Sequence, residues 1–141
     1  MANKNTLRTN AWDAIYTYLK TTDPISVPTK IYGSFNSKLV TSVGYPLVII
    51  HTPNVSFGKL TIDGSLVNSE VVINIDVYHT SAQNCKVLAD NVTETLMTGR
   101  KAFTSNRLMN MNIEDNDNDS WEEGMKKIHR IGFNVTFRYV G

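Results

Sequence analysis

Two stretches alternate apolar and polar side chains with a period of two, and they constrain the fold more than any other feature. In EVVINIDVYHT, residues 70–80, the apolar positions are Val71, Ile73, Ile75 and Val77; in IGFNVTFRYV, residues 131–140, they are Ile131, Phe133, Val135, Phe137 and Tyr139. Successive side chains of a strand point to opposite faces, so each stretch predicts a strand with one apolar face. Such strands belong in a sheet that is covered on one side.

Two other segments carry apolar residues at helical spacing. Residues 5–20 place Leu7, Ala11, Ile15 and Leu19 on one stripe, which predicts an amphipathic helix. After a cap at Thr80 or Ser81, a second stripe consists of Cys85, Leu88, Val92 and Leu96. Gly99 is expected to end this helix.

Shorter signals complete the order of elements. YPLVIIH, residues 45–51, is a continuous apolar run and predicts a strand buried on both faces. PISVPTKIYGSF holds two prolines and predicts at most an edge strand, whereas residues 53–70 are turn-rich, with a hairpin signal at Asp63–Gly64. NRLMNMNIED predicts a strand with Met109, Met111 and Ile113 on one face. The expected class is α+β, a mostly antiparallel sheet of about four to five strands with two helices on one face.

Length and composition favour one globular domain over residues 1–141. The chain has 141 residues, of which 41% are hydrophobic and 19% charged. A net charge of +1 gives no general attraction to nucleic acid or to an anionic membrane. The single cysteine, Cys85, excludes an intrachain disulfide, and no apolar run is long enough to span a bilayer.

The acidic run before the last strand resembles half of a calcium loop. Asp115, Asp117 and Asp119 have the first three ligand positions, but Ser120 stands where the motif needs glycine and Lys126 where it needs glutamate. We therefore predict a solvated hairpin loop, with a metal-dependent enzyme as the less favoured interpretation. Basic residues follow directly at 126–130, so the charges form either an ordinary hairpin or half of a complementary contact with a neighbour.

No catalytic, cofactor or metal residues are predicted. His51, His79 and His129 lack metal-motif spacing, Cys85 lies on an apolar helical stripe, and phosphate-loop or nucleophile-elbow motifs are missing. Aromatic residues of the first helix would serve either as a stacking platform for single-stranded nucleic acid or at a subunit interface. The candidate interface residues are Trp12, Tyr16, Asp115, Asp117, Asp119, Trp121, Lys126, Lys127 and Arg130.

Taken together, four segments resemble the tail terminator and head-tail joining (neck) proteins of long-tailed bacteriophages. They are the first helix (TLRTNAWDAIYTYL), the strand YPLVIIH, the strand EVVINIDVYHT running into the helix SAQNCKVLADNVTETLM, and the closing IGFNVTFRYVG. The pattern of an alternating strand, a short polar step and a helix with "LAD" near its middle is typical of that family. The resemblance covers most of the chain, and its motifs contain no catalytic residues.

The resemblance implies a structural virion protein that catalyses no reaction. Members of that family form a ring, usually a hexamer, that caps the tail tube, stops polymerisation and docks to the neck, while DNA passes through the lumen without sequence-specific binding. The implied partners are further copies of the chain, the tail tube protein and a head-completion protein, with assembly in the host cytoplasm and no membrane. The acidic loop would lie on a ring face or line the lumen. The alternative function is a small α+β module that binds nucleic acid or a ligand.

Overall fold

The computed structural model describes residues 7–22, 30–33, 44–57 and 68–140. Within these ranges the elements are α1 (Leu7–Thr22), β1 (Ile31–Tyr32), β2 (Leu47–Ile50), β3 (Asn54–Phe57), β4 (Asn68–His79), α2 (Ala82–Thr98), α3 (Arg100–Ser105), β5 (Leu108–Glu123) and β6 (Lys126–Val140). The α+β prediction is confirmed, although the described residues form six strands and three helices where four to five strands and two helices were expected. The assignment of residues 1–141 to a single domain stays a prediction.

The sheet is built around β4, whose two edges are both occupied. The strand order is β1-β2-β4-β6-β5, and β3 pairs with β4 alongside β2. Every pairing is antiparallel except that of β1 with β2. In the β4–β6 register Val71 lies opposite Phe137 and Ile75 opposite Phe133, so the two alternating apolar faces point to the same side of the sheet.

The main core lies between that face and the helices. Leu7, Ala11, Ile15 and Leu19 of α1, Cys85, Leu88, Val92 and Leu96 of α2, and Phe103 of α3 are buried against it. Strand β2 contributes to both sides of the sheet, as its unbroken apolar sequence predicts. Ile50 joins the main core, whereas Ile49 packs on the opposite face with Tyr78 and Ile128.

Helix α2 begins and ends where the sequence predicts. The Ser81 hydroxyl accepts a hydrogen bond from the Asn84 N–H at 3.2 Å, and the Gly99 N–H closes the helix on the Leu96 carbonyl at 3.0 Å. Glycine is required at 99 by packing, because a Cβ there would lie 2.5 Å from the Tyr18 ring. The short helix α3 follows at once and was not predicted; its Phe103 packs edge-to-face on Tyr18.

The predicted acidic loop is wrong: these residues are part of strand β5. This strand is 16 residues long, and it pairs with β6 until Glu123 faces Lys126. The reversal is confined to Gly124 and Met125. Gly124 has a φ of +62°, and glycine at the first position of a two-residue turn is the signature of a type II′ hairpin. Pairing with β6 supplies the backbone hydrogen bonds of this strand, and no local pattern in the acidic run predicts that pairing.

Two irregularities interrupt β5 and change which side chains reach the core. The register shifts between Met109 and Asn112 and again between Asp115 and Asn118, and Asn110 has a φ of +54°. Leu108 and Met111 are consequently buried, while Met109 is only half-buried, so the predicted face of Met109, Met111 and Ile113 is not regular. The turn-rich composition of residues 53–70 predicted no strand there, so strand β3 was missed. The predicted hairpin turn at Asp63–Gly64 lies outside the described residues. None of the described helices is long and apolar enough to cross a membrane.

Candidate subunit interface

Most of the predicted interface residues lie together on the β5–β6 hairpin. Asp115, Asp117, Asp119 and Trp121 are on β5, and Lys126, Lys127 and Arg130 are on β6. Within the described sheet β5 is an edge strand, and the three aspartates are exposed along it. The acidic and basic runs of the sequence thus become two adjacent antiparallel strands.

Opposite charges face each other across the hairpin. Asp119 is opposite Arg130, Glu122 opposite Lys127, and Glu123 opposite Lys126, and directly opposed unlike charges favour this register. The lysine ammonium groups nevertheless form no side-chain hydrogen bond or ion pair with any part of the chain that the structure describes. The acidic edge and the two lysines therefore remain available to other molecules.

Arg130 is held by a charged cluster that was not predicted. Its Nη1 donates to Oδ1 of Asp76 at 2.8 Å, and the other carboxylate oxygen of Asp76 lies 2.6 Å from Nε2 of His51. Asp76 is paired directly with Gly132, and a Cβ on that glycine would lie 2.6 Å from Oδ1. Arg130 is thus committed to a structural contact within its own chain. The one sequence signal was Asp76 itself, an acid in the middle of a long apolar strand.

Trp121 anchors the far end of the hairpin. Its ring packs edge-to-face on Tyr78 with centroids 5.9 Å apart, and its Nε1 donates to Oε2 of Glu123 at 3.1 Å. The same carboxylate oxygen accepts from the Tyr45 hydroxyl at 2.8 Å. Burial, followed by the charge of Asp76, raises the pKa of Tyr78 to about 12. The hairpin end is therefore attached to the segment that leads into β2.

Trp12 and Tyr16 lie apart from the hairpin, on α1. Their rings stack with centroids 4.9 Å apart, and the Trp12 Nε1 donates to the Ile50 carbonyl at 2.7 Å. Both rings are partly buried against the main core. The Tyr16 hydroxyl accepts from the Lys20 ammonium at 2.9 Å, which raises the pKa of Lys20. These contacts make the pair packing residues of the helical layer, and an interface role for them stays a prediction.

The geometry of the acidic strand does not favour a calcium site. A calcium loop wraps its ligands around one ion, whereas an extended strand spreads them along a line. Among the described residues no group of three or more His, Cys, Asp or Glu side chains is placed to hold a metal ion. Cys85 is buried, as its position on the apolar stripe predicts, and burial raises the pKa of its thiol.

Comparison with known proteins gives a likeness of fold. No protein-family model matches the chain, and no curated protein matches it in sequence. A chain of a solved structure titled "Virion of native gene transfer agent (GTA) particle" has the same fold, with a TM-score of 0.57 and 13% sequence identity. The match covers 92% of this chain and 94% of the other, so the two have a similar arrangement over nearly their whole lengths.

Proposed function

We propose that the chain is a structural protein of a phage-like particle. The observation that carries this proposal is the fold shared with a chain of a gene transfer agent virion over 92% of one chain and 94% of the other. The order of segments in the sequence supports the same class through its resemblance to tail-end and neck proteins. The sequence pattern and the three-dimensional arrangement thus both support a virion component.

Within that class we infer a tail terminator: a ring, most simply a hexamer, that caps the tail tube and offers a docking surface to the neck. Head-to-tail contacts between copies close a ring when the rotation per copy divides a full turn. The ring stops growth when one face matches the tube and the other does not. No chemical step is assigned to the chain, since its function would reside in its surfaces.

The exposed acidic edge of β5 supports this proposal. A long open strand invites pairing with other strands, and charged side chains along it suppress uncontrolled edge-to-edge aggregation. The acids at 115, 117 and 119 are all exposed, so free copies repel one another along this edge. If the same edge lines the lumen, it also repels the phosphates of passing DNA, because DNA binding depends on cationic groups.

Tube capping is the direct test of this function. The purified chain would be added at increasing ratios to polymerising tail tube protein of the same particle, and tube lengths would be measured by electron microscopy. We expect shorter tubes, each bearing a ring of density at one end, and a closed oligomer by native mass spectrometry of the isolated ends. A chain that stays monomeric with tube protein present, and leaves tube length unchanged, would contradict the proposal.

A further inference from the structure

The tip of the β5–β6 hairpin holds an apolar side chain entirely in solvent. Met125 is fully exposed, at 105% of its reference area, in the two-residue turn between the paired Glu123 and Lys126. The hydrogen bonds that Tyr45 and Trp121 donate to Glu123 fix the strand ends beneath it. A preorganised apolar tip binds with a smaller entropy loss than a flexible one, and methionine adapts its shape to irregular pockets.

A groove of about 550 Å³ lies at the opposite end of the same hairpin. Its floor includes Phe103, Leu108 and Tyr139, and its rim on α1 includes the exposed residues Asp13 and Thr17. Because this groove combines an apolar floor with a polar rim, it can receive an apolar side chain together with the charged residues beside it.

The tip and the groove cannot meet within one copy. Leu108 and Tyr139 are paired at one end of the hairpin, and Glu123 and Lys126 at the other. The 16 residues of β5, if fully extended, separate the two ends by roughly 50 Å before the irregularities bend the strand. Two complementary patches at opposite ends of one rigid element produce head-to-tail association, the kind that closes into rings.

Exposed charges of both signs lie at each end: the tip carries Glu122 beside two lysines, and the groove lining includes Arg107 as well as Asp13. Lys126 and Lys127 follow Met125 directly, and their ammonium groups have no hydrogen-bond or ion-pair partner in the part of the chain that the structure describes. The Asp13 carboxylate on the groove rim is exposed and likewise has no partner there. Bringing the tip onto the rim would pair the acid with a lysine, which favours this orientation over tip-to-tip contact.

We propose that Met125 of one copy inserts into the groove between α1 and α3 of the next copy, and that this contact repeats around the ring. The inference rests on the proposed function in that it requires the copies to assemble. It assigns the groove to a second copy of this chain rather than to the tube or neck protein.

Cross-linking within the assembled particle end tests this contact directly. Copies carrying Met125→Cys are mixed with copies carrying Thr17→Cys, assembled on tail tube protein, and treated with a short bismaleimide. We expect a cross-linked dimer of this chain on a denaturing gel, and little from either variant alone. The native Cys85 is buried and its thiol pKa is raised by burial, so it does not compete.

Met97→Cys is the matched control, because Met97 is also an exposed methionine, 52% accessible, but lies on α2. Mixed with Thr17→Cys, it should give far less dimer than Met125→Cys does. Equal yields from the two positions, or cross-linking of the Met125→Cys variant to tube protein rather than to this chain, would overturn the proposal.

Neutralising the charges gives an independent readout on ring stability. Asp13→Asn, and separately Lys126→Gln with Lys127→Gln, should each raise the concentration needed for half-assembly at least about tenfold, and their combination should raise it little further than either change alone. The readout is the ring fraction by native mass spectrometry. Rings that form normally in every variant would overturn this contact while leaving the terminator role standing; a wild-type chain that forms no ring with tube protein would overturn both.

Discussion

At the scale of single residues, the missing side chain of Gly132 makes room for a charged cluster. A Cβ at this position would lie 2.6 Å from Oδ1 of Asp76 and 3.0 Å from Nη1 of Arg130. Gly132→Ala should therefore displace a mostly buried carboxylate from its ion pairs and lower the free energy of unfolding by roughly 2 kcal/mol. Urea denaturation measures this. Gly33→Ala is the control, since among the described residues its Cβ would meet only Trp12, at 3.8 Å, an ordinary contact. Equal effects at the two sites would contradict the explanation.

His79 predicts a pH dependence of stability. Burial, and then the charge of His129, lowers the pKa of His79 below its ordinary 6.5, and its Nδ1 accepts the Ser81 N–H at 3.1 Å, which requires an unprotonated nitrogen. Above about pH 6.5 both states are neutral and His79 has no effect. As the pH falls below that value the unfolded chain takes up a proton first, so stability decreases until the folded-state pKa is passed.

The measurement is the urea midpoint between about pH 7.5 and about pH 5, compared between the wild type and His79→Gln. We expect the variant to lose less stability on acidification than the wild type. Parallel pH profiles for the two proteins would show that this histidine does not supply the dependence.

At the scale of elements, helix α2 depends on its N-terminal cap. The Ser81 hydroxyl satisfies the Asn84 N–H, one of the unpaired donors at the helix start. Ser81→Ala should reduce the free energy of unfolding by about 1 kcal/mol, as measured by chemical denaturation. Ser105→Ala is the matched control, because the exposed Ser105 hydroxyl donates only to the Ala102 carbonyl of its own helix. A loss from Ser105→Ala as large as that from Ser81→Ala would argue against a capping role.

At the scale of the whole molecule, the sheet has apolar clusters on both faces, and β2 belongs to both. Ile49 and Ile50 are adjacent and each is 0% exposed, yet Ile50 faces the helices and Ile49 the opposite cluster. Ile49→Ala and Ile50→Ala should each cost roughly 2–4 kcal/mol of unfolding free energy, measured by urea denaturation. A cost well below about 1 kcal/mol for Ile49→Ala would mean that the second cluster does not hold the molecule together.

Local patterns in the sequence were sufficient to predict the elements that show a clear apolar periodicity or a clear cap. The alternation in β4 and β6, the stripes of α1 and α2, the Ser81 cap, the Gly99 end, the burial of Cys85 and the two-sided burial of β2 all follow from period and propensity over a few residues. The candidate site was found only in part, because charge along the chain identified the hairpin but not the side chains that hold it.

Tertiary structure decided everything that depends on residues distant in sequence. The acidic run is a strand because β6 offers it hydrogen bonds, and Arg130 is turned inward because Asp76, 54 residues earlier, lies in the neighbouring strand. Residue 99 must be small because the Tyr18 ring packs over it. Met125 and the groove lie far apart because they occupy the two ends of one hairpin. The physical reason is that a chain's periodicity reports which face of an element is buried, whereas the identity of the neighbour on that face is set only when the strands are paired.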